Sequence, residues 1–173
     1  LPISSPDDFM DRYEIHLFVD NGETRGAPVV VEDHPTQVNL LGCIEREAEM
    51  GALITDFTLI KAGALHRANG GFLILHVDDM LQNLGAWEGL LRALRSGRAR
   101  IDDTGDGQDQ ARTKTIEPDP VPLDLKVLLV GPDEAYEALL GDDRFRKLFK
   151  IKAHLQESVP RNAGTIKAYL LQL

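Results

Sequence analysis

The sequence predicts an α/β fold in which a parallel sheet is flanked by helices. Two observations carry this. Residues 72–75 and 125–130 are apolar runs of strand length, of the kind a parallel sheet buries on both faces. Segments with helical spacing lie between and after them, so strands and helices alternate along the chain.

The elements follow in order. Residues 1–12 carry two prolines and three aspartates and read as a lead-in or linker. Residues 15–19 read as a short strand that turns at Asp20-Asn21-Gly22-Glu23, and residues 28–31 as a second strand. His34 before Pro35 is a turn residue. Thr36 caps a helix whose apolar face is Val38, Leu41, Ile44 and Ala48, and Cys43 sits on that helix as a core residue. Residues 53–60 are extended in character. Leu81, Trp87, Leu90, Leu91 and Leu94 have helical spacing, and Gly97 suits the C-terminal cap.

Residues 98–101 and 113–116 read as two arms of a hairpin, joined by the Gly/Asp/Gln-rich residues 102–112. Pro118, Pro120 and Pro122 stiffen the approach to the strand at 125–130. Residues 134–140 and 144–149 read as helices, 150–153 as a strand, and 164–173 as the start of a further helix. One domain over 13–156 results, with 157–173 opening a helical region. The chain starts at Leu1 and ends in Tyr169-Leu170-Leu171-Gln172-Leu173, and reads as a segment of a longer protein.

Charge narrows the function classes. The net charge is −9, from 19 basic and 28 acidic residues. Phosphate backbones need a basic surface, so general nucleic-acid binding is excluded. No apolar stretch has the length of a membrane span. Cys43 stands alone, which excludes an internal disulfide, and no secretory signal is present. A reducing cytoplasm is the expected location.

The most informative run is Gly63-Ala64-Leu65-His66-Arg67-Ala68-Asn69-Gly70-Gly71-Phe72-Leu73-Ile74-Leu75-His76-Val77-Asp78-Asp79. A short amphipathic turn is followed by a Gly-Gly break, an apolar strand and acids. This order resembles the Walker B region of Lon-like AAA+ proteases. Asn39-Leu40-Leu41-Gly42 with Glu45-Arg46-Glu47-Ala48, and Thr55-Asp56-Phe57-Thr58-Leu59-Ile60-Lys61, resemble the segments upstream of it. Residues 98–125 resemble the hairpin inserted before the sensor-1 strand, and Leu125-Lys126-Val127-Leu128-Leu129-Val130-Gly131 resembles that strand itself. The likeness extends from about Tyr13 to Leu155. It implies a P-loop-NTPase-like (AAA+) sheet with a β-hairpin insertion before sensor 1. Within the family, the variety with degenerate ATPase motifs, often called LonC, is the one the chain resembles most.

The departures from the family pattern are informative too. The Asp-Glu pair that holds Mg²⁺ and polarises water falls on His76 and Val77, with Asp78 and Asp79 beyond it. An imidazole is a poor Mg²⁺ ligand and valine is no base. No Gly-x-x-x-x-Gly-Lys-Ser/Thr loop occurs in these residues, and the family's loop precedes a long helical insertion. The sensor strand ends in Gly131-Pro132, where the family has a polar residue. The arginine-finger position falls near Leu148, with Arg144 and Arg146 beside it as the candidates. The serines are Ser4, Ser5, Ser96 and Ser158, none in a nucleophile setting, so no catalytic residue is assigned and the Ser/Lys peptidase belongs elsewhere in the full-length protein.

Three site readings stay open from the residues alone. His76, Asp78 and Asp79 suit either a metal site or a strand end with a helix cap, and the cap is favoured, so no metal is assigned. His66 and Arg67 suit either a subunit or nucleotide contact or the polar face of a turn. Met50, Leu53 and Phe57 suit either a substrate grip at the pore of a ring or, for Phe57, a plain core position. Their placement after a polar helix ending at Glu45, Arg46, Glu47 and Glu49 favours exposure. The resemblance implies a module that forms a homo-oligomeric, hexameric ring in the full-length protein and admits unfolded polypeptide to a peptidase. It needs no cofactor in this form. The rival readings are an ATP-dependent Lon-like enzyme, with ATP and Mg²⁺, and a non-enzymatic docking scaffold.

Overall fold

The computed structural model describes residues 14–49, 52–101, 116–155 and 158–171, and for 47–49 and 52–54 the backbone alone. The predicted lead-in 1–12, Met50, the hairpin connection 102–112 and most of its second arm lie outside the described residues.

The elements are β1 (Val29–Glu32), α1 (Gln37–Leu41), β2 (Gly42–Ile44), β3 (Glu47–Glu49), β4 (Ala52–Ile54), a 3-10 turn (Phe57–Leu59), β5 (Ile60–Ala62), α2 (Ala64–Arg67), β6 (Phe72–His76), α3 (Val77–Gln82), α4 (Leu84–Ser96), β7 (Arg98–Ala99), β8 (Val121–Pro122), β9 (Lys126–Val130), α5 (Asp133–Leu139), α6 (Asp143–Leu148) and α7 (Ala163–Leu170). The central sheet is parallel, in the order β1-β6-β9. Val30, Leu73 and Val127 stand in one row, and Val31, Ile74 and Leu128 in the next.

That register separates two faces. Leu73 and Leu75 are fully buried on one, with Val30, Val127 and Leu129 packed beside them. Helices α1 to α6 supply the rest of this core through Leu40, Leu41, Leu65, Met80, Trp87, Leu90, Leu139 and Phe145. Each fully buried leucine contributes about 1.5–3 kcal/mol. The opposite face carries Val29, Val31, Phe72, Leu128 and Val130, all exposed by 42% or more. The apolar runs at 72–75 and 125–130 are therefore parallel strands as expected, but the described residues cover only one of their faces.

Helix α4 crosses α1 closely because Gly89 lacks a side chain, and a Cβ there would meet Leu41 Cδ1 at 2.5 Å. Gly97 ends α4 in the left-handed region at φ 65°.

Several expected elements differ. The Thr36 cap forms, its hydroxyl accepting from Asn39 N–H, but α1 stops at Leu41. Gly42 adopts φ 91° and turns the chain into β2, antiparallel to β5. Ile44 and Cys43 are therefore strand residues, and Cys43 is half-buried, its thiol pushed up by burial. The polar segment Glu47–Glu49 is the first arm of a hairpin with Ala52–Ile54 and not the end of a helix.

No strand forms at 15–19 or 150–153, because neither finds a ladder partner; Ile15 and Ile151 are each 93% exposed. Instead Lys152 is held by Asp133 at 2.9 Å and lies over the Tyr136 ring at 4.2 Å. The arm β7 pairs with β8 at Val121–Pro122, later than the expected 113–116.

Candidate functional site

The Ala68-Asn69-Gly70-Gly71 turn is a brace between three strands. Asn69 Nδ2 donates to the Pro122 carbonyl at 2.9 Å, and its Oδ1 accepts from Asp124 N–H at 2.8 Å. Gly70 N–H donates to the Asp124 carbonyl at 2.8 Å and adopts φ 83°. Phe72 N–H donates to the Pro28 carbonyl at 2.8 Å, and a Cβ on Gly71 would collide with that same carbonyl. The turn thus fixes where β1, β6 and β9 begin, and so where they end.

Their carboxyl ends are where open α/β sheets place ligands. At β1 the end residue is Glu32, whose carboxylate is held by Arg67 at 2.9 Å. At β6 the end residue is His76, on the uncovered face and exposed. It precedes α3 as its N-cap residue without a side-chain cap bond, and Asp78 and Asp79 occupy the first turn, where acids complement the helix dipole. This is the strand-end and cap arrangement. Among the described residues no group of three His, Cys, Asp or Glu converges as metal ligands do.

Val77 is 5% exposed and belongs to the core cluster. It packs against the end of β9: a Cβ on Gly131 would lie 3.0 Å from Val77 Cβ and 3.2 Å from its Cγ2. A carboxylate in its place would be desolvated among apolar groups. Positions 76 and 77 therefore do not fit the Mg²⁺–nucleotide group that the family pattern implies. The tight approach of Gly131 was not foreseen from the sequence; the bare Gly131-Pro132 pair after an apolar strand was its only signal.

Both candidate arginine-finger residues are engaged within the chain. Arg144 forms a fork on Glu88 of α4, at 2.6 and 2.9 Å, and also donates to Asp142. These bonds hold the Glu88 and Asp142 carboxyls below their usual range. Arg146 pairs with Asp143. A role for either guanidinium at a phosphate requires leaving these partners.

Of the three substrate-contact residues, only Phe57 has a described side chain. Met50 lies outside the described residues, between the paired ends Glu49 and Ala52 of the β3–β4 hairpin. Leu53 is in β4. Phe57 is half-buried at the start of the 3-10 turn, whose cap is Asp56 accepting from Thr58 N–H. His66, read as exposed, is instead 4% exposed, and Arg67 beside it is exposed and paired with Glu32.

A parallel sheet in the order β1-β6-β9 with helices following its strands is consistent with a P-loop-NTPase-like α/β fold. A profile of the family described as LonB-like, AAA domain, matches residues 25–156. The chain belongs to that family, and is a Lon-like AAA+ module. No curated protein matches the sequence. Among solved structures, the crystal structure of NtrX from Brucella abortus is similar with a TM-score of 0.44 and 20% identity, over 72% of this chain and 26% of that one. This chain thus spans about a quarter of that protein's chain. Among the described residues no helix is long and apolar enough to cross a membrane.

Proposed function

We propose that this chain is the substrate-handling AAA+ module of a Lon-like serine protease of the degenerate-motif variety. It admits unfolded polypeptide to a Ser/Lys peptidase domain outside these 173 residues, without ATP hydrolysis. The observation that carries this reading is Val77: the position of the catalytic base is a core residue packed on Gly131. The exposed imidazole of His76 replaces the metal carboxylate beside it. In this reading the full-length protein is a cytoplasmic hexameric ring acting in protein quality control. Its partners are unfolded proteins rather than nucleic acid or membrane, and no nucleotide is required.

The β3–β4 hairpin supports a grip on the polypeptide. It pairs Glu49 with Ala52, with Leu53 next in β4. Phe57 follows within the same segment. Apolar burial at about 25 cal/mol per Å² gives an affinity that tolerates sequence variation, which suits unfolded substrates.

The experiment is degradation of casein by the full-length protein. It should proceed with nucleotide removed, and Phe57→Ala should slow it while leaving the melting temperature unchanged. A Phe57→Ala protein destabilised by roughly 3–5 kcal/mol, yet active at low temperature, would assign Phe57 to the core. Complete arrest without nucleotide would favour an ATP-dependent enzyme.

A further inference from the structure

Residues 14–20 have no strand or helix of their own, yet their side chains alternate. Ile15 and Leu17 point to solvent, 93% and 67% exposed, while His16 and Phe18 turn inward. His16 Nε2 bonds the Ile60 carbonyl of β5 at 2.9 Å. Phe18 meets the His66 ring of α2 edge-on, with centroids 5.0 Å apart. Beyond Phe18 lies a cavity of about 390 Å³ lined by Asp20, Val30, Lys61, Ala62 and Arg67 among others. The segment is a strap across α2 and β5, fastened at two points.

One of those points has an unusual chemistry. His66 is buried, and neither ring nitrogen has a hydrogen-bond partner among the described residues. Buried polar groups are ordinarily paired, so an imidazole with both nitrogens bare is tolerated only while it is neutral. The charged and titratable groups on the surrounding elements offer it nothing. On the strap these are Glu14, His16 and Asp20. On β1, Glu32 is occupied by Arg67 of α2 itself, and on β5 the charge is Lys61, of the wrong sign and 3.8 Å from Glu45. Helix α1 carries no charged residue. Phe18 presents a hydrocarbon ring.

We propose that residues 14–20 are an acid-released strap, held closed by contact of Phe18 with neutral His66 and opened when His66 takes up a proton and needs water. The second fastening, the bond from His16 Nε2 to the Ile60 carbonyl, is kept in a His66→Leu variant, which therefore separates the two points.

Burial holds His66 down at about 4 in the closed state, against 6.5 for a freely hydrated imidazole. The open state therefore binds the proton more tightly, and the closed strap loses stability as pH falls from 6.5 towards 4. Between pH 7.5 and 5.0 the opening constant should rise about thirtyfold.

Hydrogen exchange followed by mass spectrometry, corrected for the intrinsic pH dependence of exchange, tests this on the full chain. Strap amides should lose protection by about that factor at pH 5.0 while β6 amides keep theirs. In His66→Leu the strap should stay protected at both pH values. The proposal is overturned if wild-type strap protection is the same at both pH values, or if His66→Leu loses it as the wild type does. Should His66→Leu not fold, the wild type alone decides: loss of strap and β6 protection together means global acid unfolding and overturns the strap.

Discussion

Phe145→Ala is expected to cost about 3–5 kcal/mol of folding free energy. Phe145 is 3% exposed and lies at the centre of an aromatic group. Its ring stacks on Phe149 at 5.1 Å, meets Tyr136 edge-on at 6.1 Å and tilts against Trp87 at 6.3 Å. These rings join α6 and α5 to α4, so the variant leaves a cavity where three helices meet. The surface fork of Arg144 on Glu88 spans the same junction, but exposed ion pairs contribute little and cannot compensate. Denaturant unfolding followed by the fluorescence of Trp87 measures the loss. A change below about 1 kcal/mol would show that α6 is not anchored through this ring.

Gly71→Ala is expected to destabilise by roughly 3 kcal/mol, at the upper end of what overpacking costs. The new methyl would collide with the Pro28 carbonyl, which already accepts from Phe72 N–H. Relief requires β1 to move away from β6 at the first residue of their ladder. Gly70→Ala is the control: its Cβ meets nothing within 4 Å, and its penalty comes from φ 83° alone. If the two variants proved equally stable, backbone approach at Gly71 would not be the reason for the second glycine.

The parts of the fold that were legible in the sequence are those fixed by local chemistry. The hydroxyl of Thr36 caps α1 because a threonine before an apolar-periodic run can reach the Asn39 N–H. Gly97 closes α4 because glycine accepts φ 65° without strain. The strands β6 and β9 were legible from their apolar runs. Pairing partners were not. Residues 15–19 alternate as a strand does, but nothing in their own sequence tells that no ladder awaits them. Arg98–Ala99 was legible as a hairpin arm, while its partner at Val121–Pro122 was hidden behind prolines that argue against strands. The apolar spacing after Thr36 continues through Gly42, but the φ of 91° at Gly42 turns the chain into β2 and ends the helix there.

The site divides in the same way. Identities at positions 76 and 77 were plain from the sequence, because Gly70-Gly71 and the apolar run set the frame. The burial of Val77 against Gly131 depends on how two strand ends approach, which no single segment encodes. His66 is the clearest miss. Its polar type and its place beside Arg67 point outward, yet adjacent residues of a helix lie about 100° apart around its axis, and the strap covers the His66 side of α2.

Titration calorimetry of Mg²⁺–ATP into the full-length protein tests the central claim most directly. With His76 exposed and Val77 committed to the core, no binding heat is expected at micromolar nucleotide. Micromolar affinity would contradict it, and would mean that oxygen ligands and a base reach the nucleotide from positions other than these two strand-end residues.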